Sequence, residues 1–399
     1  MRARSVLAGL LFLVTGCKSA PVPSEGALDA APKATAASTG SVAVPVTASA
    51  SAAAAPAPSP CGEGATCSAQ CPCGTHAACN AGRCERETGW KIEELALGGA
   101  TYGCARYTNG QVFCAGQNAM AQLGRGTRAA NGTSAYEAPA QVTGVTDAVS
   151  LGAGVFSACA LVKDGHVWCW GLGGSGETGT GALDVSTSAK PVIGLTDAVA
   201  LGVGNSHACA IRRGGTVVCW GYNDRGQVGD ETTENRNTPA AVKGVTGATA
   251  LALGFQHSCA GTRSAGLFCW GARGGPMGVP VRVTDFGKDD HVGAGQSDTC
   301  VGSGTVSCFG PAFHTLPKPV LGFTDATQLV GNGSTLCALR KGGRVTCGDW
   351  TKSVDGKVAD RRADSRLVAV GGSWECTVGK SERVVCNDAH PAKAALEQL

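Results

Sequence analysis

The chain has 399 residues, enough for two or three average domains or for one large repetitive domain. Its 60 glycines follow no Gly-X-Y period, which excludes collagen and favours turn-rich β structure, and 43% hydrophobic residues exclude disorder throughout. A formal net charge of +3 argues against a protein that binds nucleic acid by neutralising phosphates. The 21 cysteines are too many for an ordinary reduced cytosolic protein, and an odd number leaves one outside any set of disulfides.

Residues 1–16 have the pattern of a secretory signal peptide, with Arg2 and Arg4 ahead of a short apolar run. The run is shorter than the roughly 20 residues of a membrane-spanning helix. It ends in Thr15-Gly16-Cys17, and small residues directly before a cysteine resemble the lipobox of bacterial lipoproteins. The resemblance implies cleavage before Cys17 and attachment of a diacylglycerol to its sulfur. The alternative is an ordinary signal peptide with a chance cysteine.

Residues 17–60 are predicted to be the lipidated cysteine followed by a disordered linker. From residue 18 to residue 60 the chain has 15 Ala, 7 Pro and 7 Ser, and no aromatic residue. Such a segment cannot bury enough apolar surface to fold. We expect it to hold the folded part of the protein off a membrane surface.

Residues 61–86 are predicted to be a small cysteine-rich module. Its cysteines are Cys61, Cys67, Cys71, Cys73, Cys79 and Cys84. With almost no hydrophobic residues between them, disulfides must hold this segment together, and the sequence does not choose among the possible connectivities. Zinc or a cluster at Cys71-Pro-Cys73 is the alternative, but the paired C-x-x-C of zinc ribbons is absent.

The other 14 cysteines form seven regularly spaced pairs, six of them ten residues apart and one eight apart. The pairs are Cys104 with Cys114, Cys159 with Cys169, Cys209 with Cys219, Cys259 with Cys269, Cys300 with Cys308, Cys337 with Cys347, and Cys376 with Cys386. Their first members recur every 37–55 residues, which indicates an internal repeat.

The spacing within a pair predicts a β-hairpin closed by its own disulfide. A three-residue loop Lys163-Asp164-Gly165 would place Cys159 opposite Cys169, and glycine supplies the positive φ which the third loop position requires. Opposed residues on antiparallel strands have Cα atoms about 4.5–5.5 Å apart, within reach of a disulfide. Other units have Gly110, Gly215 and Gly343 at the same place. Unit four has Ala265 there and the last unit Glu382, so we expect a different turn in the last unit.

After each hairpin come a glycine-rich loop, such as residues 221–229, and a further strand containing proline, such as residues 239–242. Each unit therefore has about four short strands, and four strands per repeat closed in a ring make a β-propeller. We predict an all-β fold, with a seven-bladed propeller over residues 90–399. Its last strand would come from the segment after Cys386 or from the stretch near Trp90.

The pattern G-x-x-H-x-C-A followed by G-x-V-x-C-W-G-x-N-x-x-G-Q-V-G, seen from Gly204 to Gly229, resembles the repeat of the RCC1 (regulator of chromosome condensation) family. The resemblance extends over Ile92 to Asp388 and implies a seven-bladed propeller. The family includes a nuclear nucleotide-exchange factor, a plant ultraviolet receptor and a secreted bacterial β-lactamase inhibitor. These proteins share a scaffold, so the resemblance does not settle the function.

No motif for catalysis, phosphate binding or calcium binding occurs in the sequence, and we expect no enzyme activity, cofactor, metal, nucleotide or nucleic acid. His207, His257 and the tryptophans stand at repeat positions, which favours structural roles. An exported protein would not meet the intracellular GTPase of an exchange factor.

We therefore expect a monomeric, membrane-anchored binding scaffold in a bacterial cell envelope, periplasmic or at the cell surface. It would contact the lipid bilayer through its acyl chain and recognise a protein or other envelope component through its loops. The units one to three are the longest, which points to the loops of these blades. The candidate partner-binding residues are Tyr136, Glu137, Tyr222, Asp224, Arg225, Asn235 and Arg236. Two alternatives remain, a lyase or hydrolase acting on wall or extracellular polymer at the propeller face, and an inert structural envelope protein.

Overall fold

The computed structural model describes residues 77–80, 83–86, 90–99, 101–129, 135–272, 277–310, 318–320, 325–332, 335–349, 359–372, 374–387 and 391–399. Cys17, the linker and Cys61, Cys67, Cys71 and Cys73 lie outside these residues, so the lipidation and the module's disulfides stay predictions. In the module, β1 (Ala77–Asn80) and β2 (Arg83–Arg86) form an antiparallel hairpin with the backbone of Cys79 opposite that of Cys84.

The remaining strands form seven antiparallel sheets, one for each cysteine pair. We number them as blades one to seven. Blade one contains β3 (Ile92–Gly98), β4 (Tyr102–Tyr107), β5 (Val112–Gly116) and β6 (Glu137–Gln141). Blade two contains β7 (Ala148–Ala153), β8 (Ser157–Val162), β9 (Val167–Gly171) and β10 (Ser186–Pro191). Blade three contains β11 (Ala198–Val203), β12 (His207–Arg212), β13 (Val217–Gly221) and β14 (Arg236–Ala241).

Blade four contains β15 (Ala248–Leu253), β16 (His257–Thr262), β17 (Gly266–Gly271) and β18 (Val281–Thr284). Blade five contains β19 (His291–Ala294), β20 (Thr299–Gly302), β21 (Ser307–Phe309) and β22 (Lys318–Pro319). Blade six contains β23 (Ala326–Asn332), β24 (Thr335–Arg340), β25 (Val345–Asp349) and β26 (Ala359–Arg362). Blade seven contains β27 (Ser365–Gly371), β28 (Trp374–Gly379) and β29 (Val384–Cys386).

The sheets are arranged as a closed seven-bladed propeller, as the sequence predicts. The first strands of the blades contact each other in ring order, and β27 of blade seven contacts β3 of blade one. Apolar side chains fill the spaces between neighbouring sheets, and the buried Trp170, Trp220 and Trp270 each lie in one of these clusters.

Every predicted hairpin disulfide is present, and each one joins the second and third strands of its blade. The seven bonds join Cys104 to Cys114, Cys159 to Cys169, Cys209 to Cys219, Cys259 to Cys269, Cys300 to Cys308, Cys337 to Cys347, and Cys376 to Cys386. All fourteen cysteines are buried, so these bonds belong to the framework of the blades and not to a reactive surface.

The paired cysteines lie closer together than predicted, because their Cα atoms are 4.0–4.1 Å apart. In blade two, the amide of Val162 donates to the carbonyl of His166 (2.9 Å), and the alternation along the ladder makes Cys159 and Cys169 a non-hydrogen-bonded pair. Such pairs are the closer of the two kinds, and the disulfide shortens the distance further.

The turn of blade two matches the prediction, and the turn of blade seven corrects one. Gly165 has a φ of +93°, and its amide donates to the carbonyl of Val162 (2.9 Å). In blade seven Glu382 has a φ of +59°, and its amide donates to the carbonyl of Gly379 (3.1 Å) in the same way. The expected different turn was therefore wrong. The Glu382 carboxylate receives two hydrogen bonds from the guanidinium of Arg366, which hold the residue in this unfavourable conformation.

In the described residues, a short helix stands where the sequence predicts a closing strand. Helix α1 (Lys393–Leu396) packs against β29 of blade seven and against β5 and β6 of blade one. The backbone of Cys386 points to the outer edge of blade seven, where Glu397 accepts its N–H (3.0 Å) and Arg362 donates to its carbonyl (2.9 Å). Two charged side chains thus satisfy the backbone groups that a fourth strand would pair. The phenol of Tyr107 donates to the carbonyl of Leu399 (2.7 Å) and ties the C-terminal segment to blade one.

Candidate functional site

The like order of strands in every blade gives the propeller two different faces. The hairpin turns between the second and third strands, such as residues 163–165, emerge at one end, which we call the hairpin face. The connections from first to second strands, such as residues 154–156, emerge at the opposite end with the glycine-rich loops. We call this end the loop face. It carries the long connections that include residues 117–129, 172–185 and 222–235.

Buried amide side chains hold the glycine-rich loop of blade three in a fixed shape. In blade three the Asn223 carbonyl oxygen accepts the amide N–H of Val228 (2.8 Å), and the Gln227 side chain accepts that of Arg225 (2.9 Å). The Nδ2 group of Asn223 donates to the carbonyls of Thr232 (3.1 Å) and Glu234 (2.9 Å). Both Asn223 and Gln227 are inaccessible to solvent, so these contacts stabilise the loop and leave the intervening side chains at the surface.

Each of these loops also docks on a tryptophan of the following blade. The carbonyl of Gln227 accepts the indole N–H of Trp270 (2.8 Å), and Gly229 lies so close to that ring that a β-carbon would clash with it. The same bond joins Gln122 to Trp170 (3.0 Å) and Glu177 to Trp220 (3.1 Å). These tryptophans are packing residues between blades, as their repeat positions indicate.

The two repeat histidines also join neighbouring blades. Nε2 of His207 lies 2.8 Å from the hydroxyl of Ser258, and Nε2 of His257 lies 2.8 Å from that of Thr299. Burial lowers the pKa of His207 to about 3, so its ring is neutral near pH 7. A buried, neutral imidazole bonded to the next blade has a structural role, as the sequence predicts.

The structure separates the predicted binding residues into two groups. Glu137, Asn235 and Arg236 make internal contacts. Glu137 forms a 2.8 Å ion pair with Arg125, Asn235 accepts the amide N–H of Asn223 (2.9 Å), and Arg236 donates to Asp230 (2.6 Å).

The other four residues present side chains at the loop face. Tyr136 is 39% exposed, and the Arg225 and Asp224 side chains are 54% and 37% exposed. The carboxylate of Asp224 lies 3.5 Å from the guanidinium of Arg225, and its hydrogen bond with Tyr222 raises the pKa of that phenol. Tyr222, Asp224 and Arg225 therefore form one contiguous group on blade three, whereas Tyr136 lies on blade one.

Further exposed apolar residues on the loop face are absent from the sequence-based set. Phe156, Phe255 and Met277 are 39%, 43% and 58% exposed. Met277 and Arg225 line a pocket of about 390 Å³ together with Gln256 and Gln296. A signal for the two phenylalanines is present in the repeat, because Phe156 aligns with Ser206 and Gln256, and Phe255 aligns with Asn205.

The propeller axis holds a cavity of about 290 Å³, lined by the first strands of all seven blades. Among the described lining residues, Glu94 is the one titratable side chain. It accepts hydrogen bonds from the Leu151 amide (2.9 Å) and from Arg106 (3.2 Å), and burial raises its pKa. A lone carboxylate engaged in this way does not form the acid and base pair that hydrolysis of a polymer requires.

Neither a metal cluster nor a membrane-spanning helix occurs in the described residues. No three or more His, Cys, Asp or Glu side chains there are placed together to bind a metal ion. Nor does any helix in that part of the chain have the length and apolarity needed to cross a bilayer.

Comparison with known proteins gives one family and one fold. Models of the regulator of chromosome condensation (RCC1) repeat match residues 148–177, 198–227 and 214–260. Human WBSCR16 superposes with a TM-score of 0.61 at 18% identity, covering 75% of this chain and 91% of that one. Prp20p from Saccharomyces cerevisiae superposes with a TM-score of 0.59 at 17% identity, covering 73% and 84%. Yeast RCC1 (Prp20) bound to Kap60 gives 0.58 at 17% identity, covering 73% and 81%.

Proposed function

Because the chain is a seven-bladed propeller of the RCC1 repeat family, we propose that it is a non-catalytic binding scaffold that recognises a protein through its loop face. The relatives support protein binding as the type of function and do not identify the partner. Yeast Prp20p is described as binding Gsp1p and histones, and a structure of it includes Kap60. At 17% identity the comparison supports a shared fold and does not identify the partner of this chain.

The exposed group on the loop face is the main support for this function. Tyr222, Asp224 and Arg225 stand on a loop held rigid by Asn223 and Gln227. Exposed Phe156, Phe255 and Met277 add apolar area on the same face. Aromatic residues, Met and Arg are the side chains enriched at protein interfaces, and a rigid loop loses little entropy on binding.

We further propose that the scaffold works outside the cytoplasm, tethered to a membrane through Cys17. The seven hairpin disulfides support an oxidising compartment. The lipobox-like Thr15-Gly16-Cys17 supports the acyl anchor. Membrane fractionation of the wild type and of Cys17→Ser in 500 mM salt, which screens ionic attachment to lipid headgroups, tests this part, since the variant is expected in the soluble fraction. A variant that stays with the membrane would contradict the acyl anchor.

Partner binding is tested by pull-down from envelope extracts under non-reducing conditions, with bound proteins identified by mass spectrometry. The triple variant Tyr222→Ala, Asp224→Ala and Arg225→Ala is expected to lose the specific partner, because a few central residues carry most of the binding energy of an interface. Thr216→Ala is the matched control, since Thr216 is an exposed residue of the same blade on the opposite face. Equal recovery by the triple variant and the control would refute the assignment to this surface.

A further inference from the structure

Basic residues recur at the tips of the hairpin turns. The first residue of the turn is basic in five of the seven blades, namely Lys163, Arg213, Arg263, Lys341 and Lys380. All five residues are exposed. The motif shared with the family does not require a positive charge at this position, where blades one and five have Thr108 and Ser303.

Three of these turns are attached to equivalent points of their blades. The backbone N–H of Lys163 donates to the carbonyl of Asp147 (3.0 Å), that of Arg213 to Asp197 (2.9 Å), and that of Lys341 to Asp325 (3.1 Å). In each case the acceptor directly precedes the first strand of the same blade. Equivalent attachment in a closed ring places these three turns at the same level along the propeller axis.

Several acidic residues of the hairpin face are engaged by other bases. Asp197 pairs with Arg212 at 2.7 Å and Asp325 with Arg340 at 2.6 Å, whereas the exposed Asp147 and Asp164 line one pocket with Lys163. Lys380 forms a 3.3 Å ion pair with Asp364. In the part of the chain that the structure describes, the other four tip residues make no salt bridge. The charges of Arg213, Arg263 and Lys341 are therefore available to an external anion.

Exposed apolar side chains accompany these cations on the hairpin face. Val149 and Val199, at the starts of the first strands of blades two and three, are 46% and 55% exposed. Binding a soluble polyanion requires only the positive charges. Exposed apolar side chains, in contrast, can enter the boundary between lipid headgroups and acyl chains.

We propose that the hairpin face docks on the anionic surface of a lipid bilayer. Cations at the same level on one face match a planar target, and the exposed apolar side chains match its interface. Docking in this way would turn the loop face away from the membrane and towards a partner. The proposal rests on the hairpin face alone, so it stands or falls separately from protein binding and from acylation at Cys17.

The test is sedimentation with vesicles, using the mature chain from residue 17 with Cys17→Ser, so that neither the apolar run of residues 1–16 nor an acyl chain contributes. This protein, otherwise wild type, is expected to bind vesicles of phosphatidylcholine with one quarter phosphatidylglycerol in 50 mM salt. Binding should be lost in 500 mM salt and on pure phosphatidylcholine, because screening and neutral lipid both remove the attraction. The double variant Arg213→Gln and Lys341→Gln should bind roughly 25-fold more weakly, at about fivefold for each cation removed.

The matched control is Arg128→Gln with Lys190→Gln, which makes the same change in net charge away from the hairpin turns, in a loop-face connection and on strand β10. It should bind vesicles like the wild type. Equal losses in the two double variants would assign the binding to net charge and overturn the proposal. The proposal would also be overturned if the protein failed to bind anionic vesicles, or if it bound soluble polyphosphate through the tip residues but not vesicles.

Discussion

Replacing Glu177 with glutamine tests how the glycine-rich loops are held, because Glu177 stands where blades one and three have Gln122 and Gln227. Its side chain is buried, with 6% of the residue exposed, and its carboxylate accepts the amide N–H of Ser175 at 2.7 Å. Gln122 and Gln227 make the same bond to Met120 (2.8 Å) and Arg225 (2.9 Å). A neutral amide therefore serves this position equally well.

Burial raises the pKa of Glu177 above its ordinary value of 4.5. The folded protein then holds the proton to a higher pH than the unfolded chain does. The contribution to stability is present below about pH 4.5 and is lost as the pH rises through the folded-state pKa. Near pH 7 the wild type therefore carries a buried charge that Glu177→Gln removes.

We expect Glu177→Gln to raise the free energy of unfolding at pH 7 by about 1 kcal/mol, since hydrogen bonding to Ser175 compensates part of the cost of the buried charge. In a domain of this size that gain corresponds to about 2 °C in Tm. Thermal unfolding followed by circular dichroism at several pH values between 4 and 7 measures it. The difference between variant and wild type should shrink as the pH falls towards 4, because the wild-type carboxyl group then becomes neutral.

The reverse substitution in the next blade, Gln227→Glu, is the matched control. It should lower Tm at pH 7 and approach the wild type at pH 4, because it creates the same buried carboxylate. A difference between Glu177→Gln and the wild type that does not change with pH would refute the reasoning. So would a loss of Tm on Glu177→Gln that grows towards pH 7.

Two further predictions concern a buried histidine and a strained turn. His207→Gln should make Tm less sensitive to acid between pH 7 and 4. The pKa of His207 is about 3 in the folded protein and 6.5 ordinarily, so the stability of the wild type falls as the pH falls through this range. A pH series of thermal melts measures the difference, and an unchanged sensitivity of Tm to acid would contradict the prediction. Glu382→Ala should destabilise blade seven by about 1–2 kcal/mol in denaturant titrations, because it loses the Arg366 pair and keeps a φ of +59°. Glu382→Gly should cost less because glycine accepts that φ, and equal costs would show that backbone strain is not involved.

The hairpin is the part of this fold that the sequence predicts best, because its geometry is local. A spacing of ten residues fixes which cysteines face each other, and Gly165 at the third loop position fixes the turn. The same reasoning holds for the shorter spacing of blade five, where Cys300 and Cys308 are also directly opposed. Four strands per unit and seven units then imply a closed ring, since closure removes the exposed sheet edges. The hairpin, the blade and the ring can each be predicted from contacts that are close in the sequence or from the regular spacing of the repeats.

The corrections arise where long-range contacts override that local pattern. Glu382 takes the conformation of a glycine because Arg366, on the first strand of the same blade, binds its carboxylate. The ring ends in helix α1 because Glu397 and Arg362 satisfy the edge backbone of Cys386, from positions that no periodicity marks. The ion pair between Glu137 and Arg125, at 2.8 Å, likewise joins the two ends of a loop that the sequence shows only as long and polar.

The repeat motif explains the structure that the blades share, so it does not explain the surface residues that differ between them. The hairpin cysteines keep all seven blades alike, and the tryptophans and loop amides repeat in some of the first four blades, with contacts that run within a blade or to the next one. The residues proposed for binding occupy positions where the blades differ. Phe156 stands where other blades have Ser206 or Gln256, and the tips carry Lys163 or Arg213 where blade one has Thr108. A scaffold that fixes the backbone at such positions leaves their side chains free to determine what each face binds.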